Sequence, residues 1–539
     1  MALYGCCFMI KQKRVGGFWN RSQGMGLAAV IMALSILLSR FMGLIRDKVI
    51  SYLFGASLEA DIYFASFVIP DFINYLLAGG YFSITLIPLL SSYFEKDVED
   101  GWSFFSAVLT WITGSIVVIT TVCFALAPQL ALMAAPGLTG EAQNRLASFL
   151  RIVMPAQVCF LTGSCFSALL YLRKQFFVPA LMPIVYNLFI ILGGVLFRER
   201  GMEGFCWGVL FGAIVGNLFL PFLACVSGMG LSLRFRLRHS GMKQFLWLAL
   251  PLMLGQSIVV LDEQLVRVFG SMAGVGAVSW LNYARRIMLV PVGVVAQAAG
   301  VASYPFLAEL FARDENDGFQ KTLGDALRSV LTLLIPMSVW MAVVSEPTVR
   351  LIFEQGSFAV RDTRETALLL IIMLSAVSFW GVQQILGRAF YARKDTLTPA
   401  ILGTLITCVS LPAFYILTRQ GGVHGVAVAS SGSITLYAVA LSLWWRYRFG
   451  GGAFSGLGMS VLRLMGVAVP AGLSSFWIPG IVTFWLPDYP LLSSLAALIL
   501  SGSTFCIVFV LAGRFFIADL MEPFARKLGC LGRFLAPSQ

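Results

Sequence analysis

Apolar runs of about 20 residues recur from end to end of the chain, and short segments between them carry most of its charge. A helix of that length crosses the hydrocarbon of a bilayer, and an isolated soluble core does not need one after another. The pattern predicts about fourteen such helices. Their centres fall near Leu34, Phe67, Ile116, Val158, Phe189, Gly212, Ile258, Val290, Leu333, Met373, Leu405, Ile434, Val469 and Leu498.

Loop charge orients these spans. Alternate loops hold Arg173 and Lys174, then Arg234, Arg236, Arg238 and Lys243, then Arg313 and Lys321, Arg393 and Lys394, Arg446 and Arg448. The segment after the last span adds Arg514, Arg526, Lys527 and Arg533. The intervening loops are poorer in Lys and Arg. The positive-inside rule then puts the rich loops and both termini in the cytoplasm. Arg46 and Lys48, at the exit of the first span, run against the rule.

Composition agrees with this class. Of 539 residues 58% are apolar and only 12% charged, too few to cover the surfaces of a soluble chain of this length. The net charge of +12 sits in loops as a topology signal, so it does not point to nucleic acid. Most of the ten cysteines lie inside apolar runs and none forms a CxxC pair, which favours small apolar fillers over metal ligands or disulfides. Two histidines, His239 and His424, flank loops and supply no triad or metal cluster. No Walker-type loop is present, so no ATP site is expected.

One segment occurs twice. Tyr171-Leu-Arg-Lys-Gln-Phe-Phe-Val-Pro-Ala180 and Tyr391-Ala-Arg-Lys-Asp-Thr-Leu-Thr-Pro-Ala400 are 220 positions apart. Each leads into a span, a glycine turn (Arg200-Gly-Met-Glu-Gly204, Gly421-Gly-Val-His-Gly425) and another span. The offset holds about six spans, an even number, so the copies run in parallel. The expected fold is an all-α polytopic membrane protein. Two six-helix lobes are related by a pseudo-two-fold axis along the membrane normal, and two C-terminal helices are added. The expected segments are a cytoplasmic leader (1–23), an N-lobe (24–232), a C-lobe (233–450), helices thirteen and fourteen (451–513) and a cytoplasmic tail (514–539). Met25 is an alternative start.

Ionisable residues inside spans are costly and usually face a cavity or a partner. In the first span Arg40, Gly43 and Asp47 share one helix face, with Arg46 beside Asp47. Asp61 and Asp71 follow in the second. These charges either line a cavity or form an interfacial pair that reaches headgroups. In the eighth span Ser279, Asn282 and Arg286 form a stripe, read as a cationic site or as a helix-packing seam. Arg285 points about 100° away from that stripe, toward some other partner. In the seventh, Glu263 and Arg267 are spaced for an internal i,i+4 pair, next to Asp262. Arg40, Arg46 and Arg286 in one cavity would suit a phosphate-bearing lipid headgroup.

These residues resemble the MurJ (MviN) family of lipid II flippases, within a superfamily of multidrug and polysaccharide exporters. The resemblance rests on Ser39-Arg-Phe-Met-Gly-Leu-Ile-Arg-Asp47, Phe54-Gly-Ala56 with Asp61, and Gly80-Tyr-Phe-Ser83 with Pro88. It continues in Val278-Ser-Trp-Leu-Asn-Tyr-Ala284 with Arg286 and Pro291, and in Phe390-Tyr-Ala-Arg-Lys-Asp-Thr-Leu-Thr-Pro399. It implies alternating access across the bacterial inner membrane, with undecaprenyl-pyrophosphate-linked disaccharide-pentapeptide, lipid II, as substrate. It implies substrate binding by Arg40, Arg46, Asp47 and Arg286, with Asp61 and Ser279 functionally sensitive, and a groove for the prenyl tail on the last two helices. The stripe adds Asn282. The chain departs from the family pattern at Asn74, Gly79 and Val266, where the resemblance leads one to expect Arg, Glu and a sodium-binding acid. Asp262, one turn before Val266, is the substitute for ion coupling by Na+; membrane potential is the other energy source. No covalent cofactor, enzyme activity or nucleic-acid partner is expected. Membrane lipids, cell-division or wall-synthesis proteins and a monomeric state complete the expectation. A drug or polysaccharide exporter of the same superfamily is the alternative.

Overall fold

A computed structural model describes residues 25–78, 85–229, 231–256 and 261–527. The proposed leader, the Gly79–Ser83 segment, the centre of the seventh span at Ile258 and the last twelve residues lie outside these. The described residues contain helices and no strand. In chain order the helices begin with α1 (Met25–Phe54), α2 (Leu58–Ala65), α3 (Val68–Ala78), α4 (Ile87–Lys96), α5 (Val98–Ala125) and α6 (Ala127–Ala134). There follow α7 (Glu141–Val153), α8 (Ala156–Leu172), α9 (Phe177–Leu196), α10 (Glu203–Gly212), α11 (Leu220–Met229) and α12 (Gly241–Gln256). Next come α13 (Leu261–Ser271), α14 (Ala277–Pro291), α15 (Gln297–Ala312), α16 (Asn316–Val343), α17 (Ser345–Phe353) and α18 (Val360–Leu374). The chain closes with α19 (Val377–Ala392), α20 (Leu397–Phe449), α21 (Leu457–Phe476), α22 (Ile478–Trp485), α23 (Pro490–Phe516) and α24 (Ala518–Lys527). Among the described residues ten helical stretches are long and apolar enough to cross a membrane, or eleven if α18 and α19, bent by 45°, form one span.

Taken over the described residues the chain forms two compact units. The first is Met1–Val49, Ser66–Ala134 and Thr139–Ser257; the second is Ile50–Ala65, Ala135–Leu138 and Ile258–Gln539. The end of α1, all of α2 and the four residues after α6 thus pack with the second unit.

In the first unit, Leu90, Phe94, Trp102, Phe105, Phe166 and Leu170 form the centre of an apolar core. Small residues set a close helix contact in the same unit. Gly204, Gly208, Gly212 and Gly216 recur every fourth position and lie on one face, against α9. A β-carbon on Gly208 would stand 2.6 Å from the carbonyl oxygen of Phe189. Spacing of this kind lets two membrane helices approach backbone to backbone. In the second unit Leu331, Ile335, Leu464, Val467 and Ile517 form a core that joins α16 and α21 to the residue preceding α24.

The repeat is visible in the backbone. Lys174 and Lys394 both have positive φ, 58° and 61°. After α8, the Lys174 amide donates to Tyr171 O and the Gln175 amide to Leu170 O, both at 2.9 Å. After α19, the Lys394 amide donates to Tyr391 O at 2.9 Å and the Asp395 amide to Phe390 O at 3.0 Å. Each is a Schellman turn with lysine in the left-handed position. The glycine turns match as well, in the register of the paired motifs. Gly201 (φ 65°, ψ −141°) corresponds to Gly422 (φ 55°, ψ −133°), a conformation only glycine adopts readily. The kink at Gly422 divides α20 into two helices.

The cationic loops of the second unit meet at one end. Arg393 donates to Asn316 Oδ1 at 2.8 Å, Arg448 to Asp395 at 2.6 Å, and Arg328 to Ser455 O at 2.6 Å. The Arg463 guanidinium pairs with both oxygens of Asp519, at 3.1 and 3.0 Å.

Candidate functional site

The candidate residues fall into local clusters, one in the first unit and two in the second. On α1, Arg40 is exposed, Arg46 half-buried, and Gly43 and Asp47 buried. Arg46 donates to Asp47 Oδ1 through Nε and Nη2, at 3.0 and 2.8 Å. Its Nη1 reaches Asn187 Oδ1 on α9 at 3.2 Å. Asn187 is itself oriented, because its Nδ2 donates to Pro183 O one turn back at 2.8 Å. That leaves the amide oxygen for the guanidinium. Tyr186, the preceding residue, lies in the field of both Arg46 and Asp71. An arginine with two anchored faces has a fixed position, which a flexible surface arginine lacks.

Asp61 and Ser279 are brought together in the second unit. Gly276 ends the turn before α14 in a left-handed conformation. The first turn of α14 leaves backbone amides without helical partners. The buried Asp61 carboxylate takes the Gly276 amide at 2.5 Å, the Ser279 amide at 2.8 Å and the Ser279 hydroxyl at 2.6 Å. Beside it, Trp280 Nε1 donates to Asp362 Oδ1 at 2.9 Å. Tyr283 is fully buried and packs edge-on to Phe64 with centroids 5.6 Å apart. The N-terminus of α14 is therefore rigidly seated on α2.

Further along α14 the two arginines part company. Arg285 donates from Nη1 to Asp262 Oδ2 at 2.8 Å, and its guanidinium lies 5.3 Å from the Trp380 ring. Ser430 donates to the same Asp262 oxygen at 3.0 Å. Glu263 makes the i,i+4 pair with Arg267 at 2.6 Å, and Gln264 Oε1 takes a second bond from Arg267 at 3.2 Å. Arg285 and Arg286 both add positive field at Glu263. Asn282 Nδ2 is buried and has no hydrogen-bond partner among the described residues.

Asp262 also borders a cavity of about 40 Å³, space for one or two waters, walled by Trp380, Gln383, Thr407, Ser433 and Tyr437. Its Oδ1 lacks a protein partner. The lining offers oxygens, but the one carboxylate is already neutralised by Arg285. Among the described residues no three His, Cys, Asp or Glu side chains gather as a metal site.

Sequence reasoning missed Asn187, Ser430 and Trp380. Asn187 carried a usable signal, a lone amide four residues after a proline in an apolar span. Ser430 and Trp380 meet Asp262 and Arg285 only through the tertiary fold.

Comparison with known proteins shows the family and the fold. Residues 50–495 match the family model described as lipid II flippase MurJ. The probable lipid II flippase MurJ of Buchnera aphidicola is 28% identical over 411 residues, covering 75% of this chain and 80% of its own. A solved structure of lipid II flippase MurJ in an inward closed conformation superposes with a TM-score of 0.75 at 24% identity, over 91% of this chain and 100% of its own. An inward-facing multidrug resistance MATE transporter of the MOP superfamily gives 0.66 at 16% identity, over 79% and 99% respectively. These two superpositions establish the fold. The family match, spanning most of the chain, establishes that it belongs to the lipid II flippase MurJ family.

Proposed function

We propose that this chain moves lipid II from the inner to the outer leaflet of the bacterial plasma membrane, by alternating access, for cell-wall assembly. The observation that carries the reading is the family match over residues 50–495. The charged clusters give it chemistry. Arg46, braced by Asp47 and Asn187, offers a fixed guanidinium for a pyrophosphate. Arg286 and the unpartnered Asn282 amide lie on α14 as further donors. Arg40, on the same helix before Arg46, is the remaining cation proposed to meet the headgroup. No covalent bond is made or broken; the protein is a transporter.

Membrane potential is the proposed energy source, acting on the lipid's charge at about 2.3 kcal/mol per elementary charge per 100 mV. Sodium at Asp262 is the less suitable device, since Arg285 already supplies the compensating charge there. Transport that persists when Na+ is replaced by choline would agree with this; abolition would return the role to Asp262. The proposed topology has both termini in the cytoplasm, and one chain suffices.

A drug exporter of the same superfamily is the second reading, favoured by the MATE superposition. That structure leaves about a fifth of this chain unmatched, whereas the MurJ structure leaves under a tenth. The test is rescue of a strain depleted of its own lipid II flippase. Wild type should restore growth and Arg286→Ala should not. Failure of a well-inserted wild type overturns the substrate assignment, and rescue by both overturns the site.

A further inference from the structure

The segment between α11 and α12 has no helix or strand and alternates in chemistry: Leu231, Leu233, Phe235 and Leu237 against Ser232, Arg234, Arg236 and Arg238. One side is tied to α5. Arg234 pairs with Glu99 at 3.0 Å and Arg236 donates to Ser103 Oγ at 2.8 Å. The backbone is tied too, by the Arg234 amide to Ser106 Oγ at 3.2 Å and by Trp111 Nε1 to Leu237 O at 2.8 Å. On the other side Leu231 packs against the core, and from there on the side chains are exposed: Leu233 by 41%, Phe235 by 82% and Leu237 by 54%. Indole rings with an apolar body and a polar tip favour the headgroup level. Trp111, which holds this strap, and Trp247 on α12 are both exposed and mark that depth. Arg238 and Lys243 are exposed at the same end and make no ion pair among the described residues.

We infer that this strap lies in the membrane interface and, with Arg238 and Lys243, forms a binding site for an anionic glycerophospholipid. Phe235 and Leu237 enter the acyl boundary while the two cations take the phosphodiester. An exposed apolar face in water would be a liability, and buried under headgroups it anchors the connector. The inference concerns bulk lipid and stands apart from the choice of transported substrate.

The test uses the full chain in mild detergent, with equimolar phosphatidylglycerol and phosphatidylethanolamine, read by native mass spectrometry. Wild type should retain phosphatidylglycerol preferentially. Arg238→Gln with Lys243→Gln should lower that retention about fivefold or more, since each cation near an anionic surface is worth about that factor. Arg361→Gln with Arg364→Gln, in the first turns of α18 in the other unit, should leave it unchanged. Unchanged retention in the strap variant, or equal loss in both variants, overturns the site. A photoreactive p-benzoylphenylalanine at Phe235 gives the second reading, in cells. A lipid-mass adduct supports the interface position; a protein adduct, or none, overturns it.

Discussion

The carboxylate of Asp61 closes the first turn of α14 by taking both the amide and the hydroxyl of Ser279, 2.8 and 2.6 Å away. The two residues are 218 positions apart. A buried anion at a helix N-terminus is favoured by the helix dipole as well as by the bonds themselves.

Replacing Asp61 by Ala should therefore be destabilising before it is anything else. It strands the Gly276 and Ser279 donors in a buried site, at about 1–3 kcal/mol for each group left unsatisfied. Asp61→Asn keeps an acceptor and should lose less. Ser279→Ala removes one hydroxyl bond, about 1 kcal/mol. Thermal midpoints in detergent should rank wild type, Ser279→Ala, Asp61→Asn, Asp61→Ala. An Asp61→Ala protein that melts like wild type would show that the cap is not what holds α14.

Arg46 should behave as a positioned cation. Arg46→Lys keeps the charge but cannot bridge Asp47 and Asn187 together, so we expect substantial loss of rescue in a flippase-depleted strain, with normal membrane levels. Asn187→Leu removes only the brace and should lower activity less than Arg46→Ala. Equal rescue by Arg46→Lys and wild type would show that charge alone matters.

Much of this was legible in the chain and some could not be. Apolar runs and loop charge gave the helical membrane class, because span length and charge cost are local properties. The Tyr-x-Arg-Lys repeat gave two copies of one turn, since the same residues cap α8 and α19 in the same way. The glycine turn was legible too, because pairing Arg200-Gly with Gly421-Gly sets Gly201 against Gly422, and both take the same positive-φ conformation. The Glu263–Arg267 pair was legible from i,i+4 spacing. The partners of Asp61 and Arg285 were not, because helix periodicity says which way a side chain points but not which distant helix arrives there.

Two glycines of α20 should respond in opposite directions. A β-carbon on Gly425 would collide with the Leu417 carbonyl across the kink, whereas one on Gly432 meets nothing within 4 Å. Gly425→Ala should lower stability by about 1–3 kcal/mol, the range for overpacking. Gly432→Ala should raise it by about 0.5–1 kcal/mol, the backbone entropy saved in a helix. Melting curves of the two variants should straddle wild type.

Arg393 should prove a structural arginine. Its guanidinium lies 4.3 Å from the Phe449 ring centroid and 4.6 Å from that of Phe319, and it donates to Asn316. Burial pulls its pKa below the ordinary guanidinium value without bringing it near neutrality in any accessible range. Arg393→Ala should cost about 2 kcal/mol through lost ring contacts, and Arg393→Lys less. Both losses should be nearly independent of salt, because rings screen the cation. A strong salt dependence of the midpoint would assign the effect to surface charge instead.

The Asp262–Arg285 pair gives the sharpest test of what a buried charge is doing here. Both side chains are largely buried, at 14% and 8% exposure, and the bond is 2.8 Å. Removing one partner leaves the other charged and desolvated, at about 3–5 kcal/mol. Replacing both by apolar residues of similar volume is often neutral. Asp262→Leu and Arg285→Met should each destabilise strongly, and the double variant should recover most of the loss. The coupling then separates structure from transport. If the pair only neutralises two charges, the recovered double variant should also rescue growth. If Asp262 takes part in ion coupling, the double variant should fold and yet fail to rescue. Arg285→Met alone, which exposes the carboxylate to the adjoining cavity, should in that case make growth rescue depend on Na+. Thermal melting and complementation on the same four proteins, with and without Na+, decide between these outcomes.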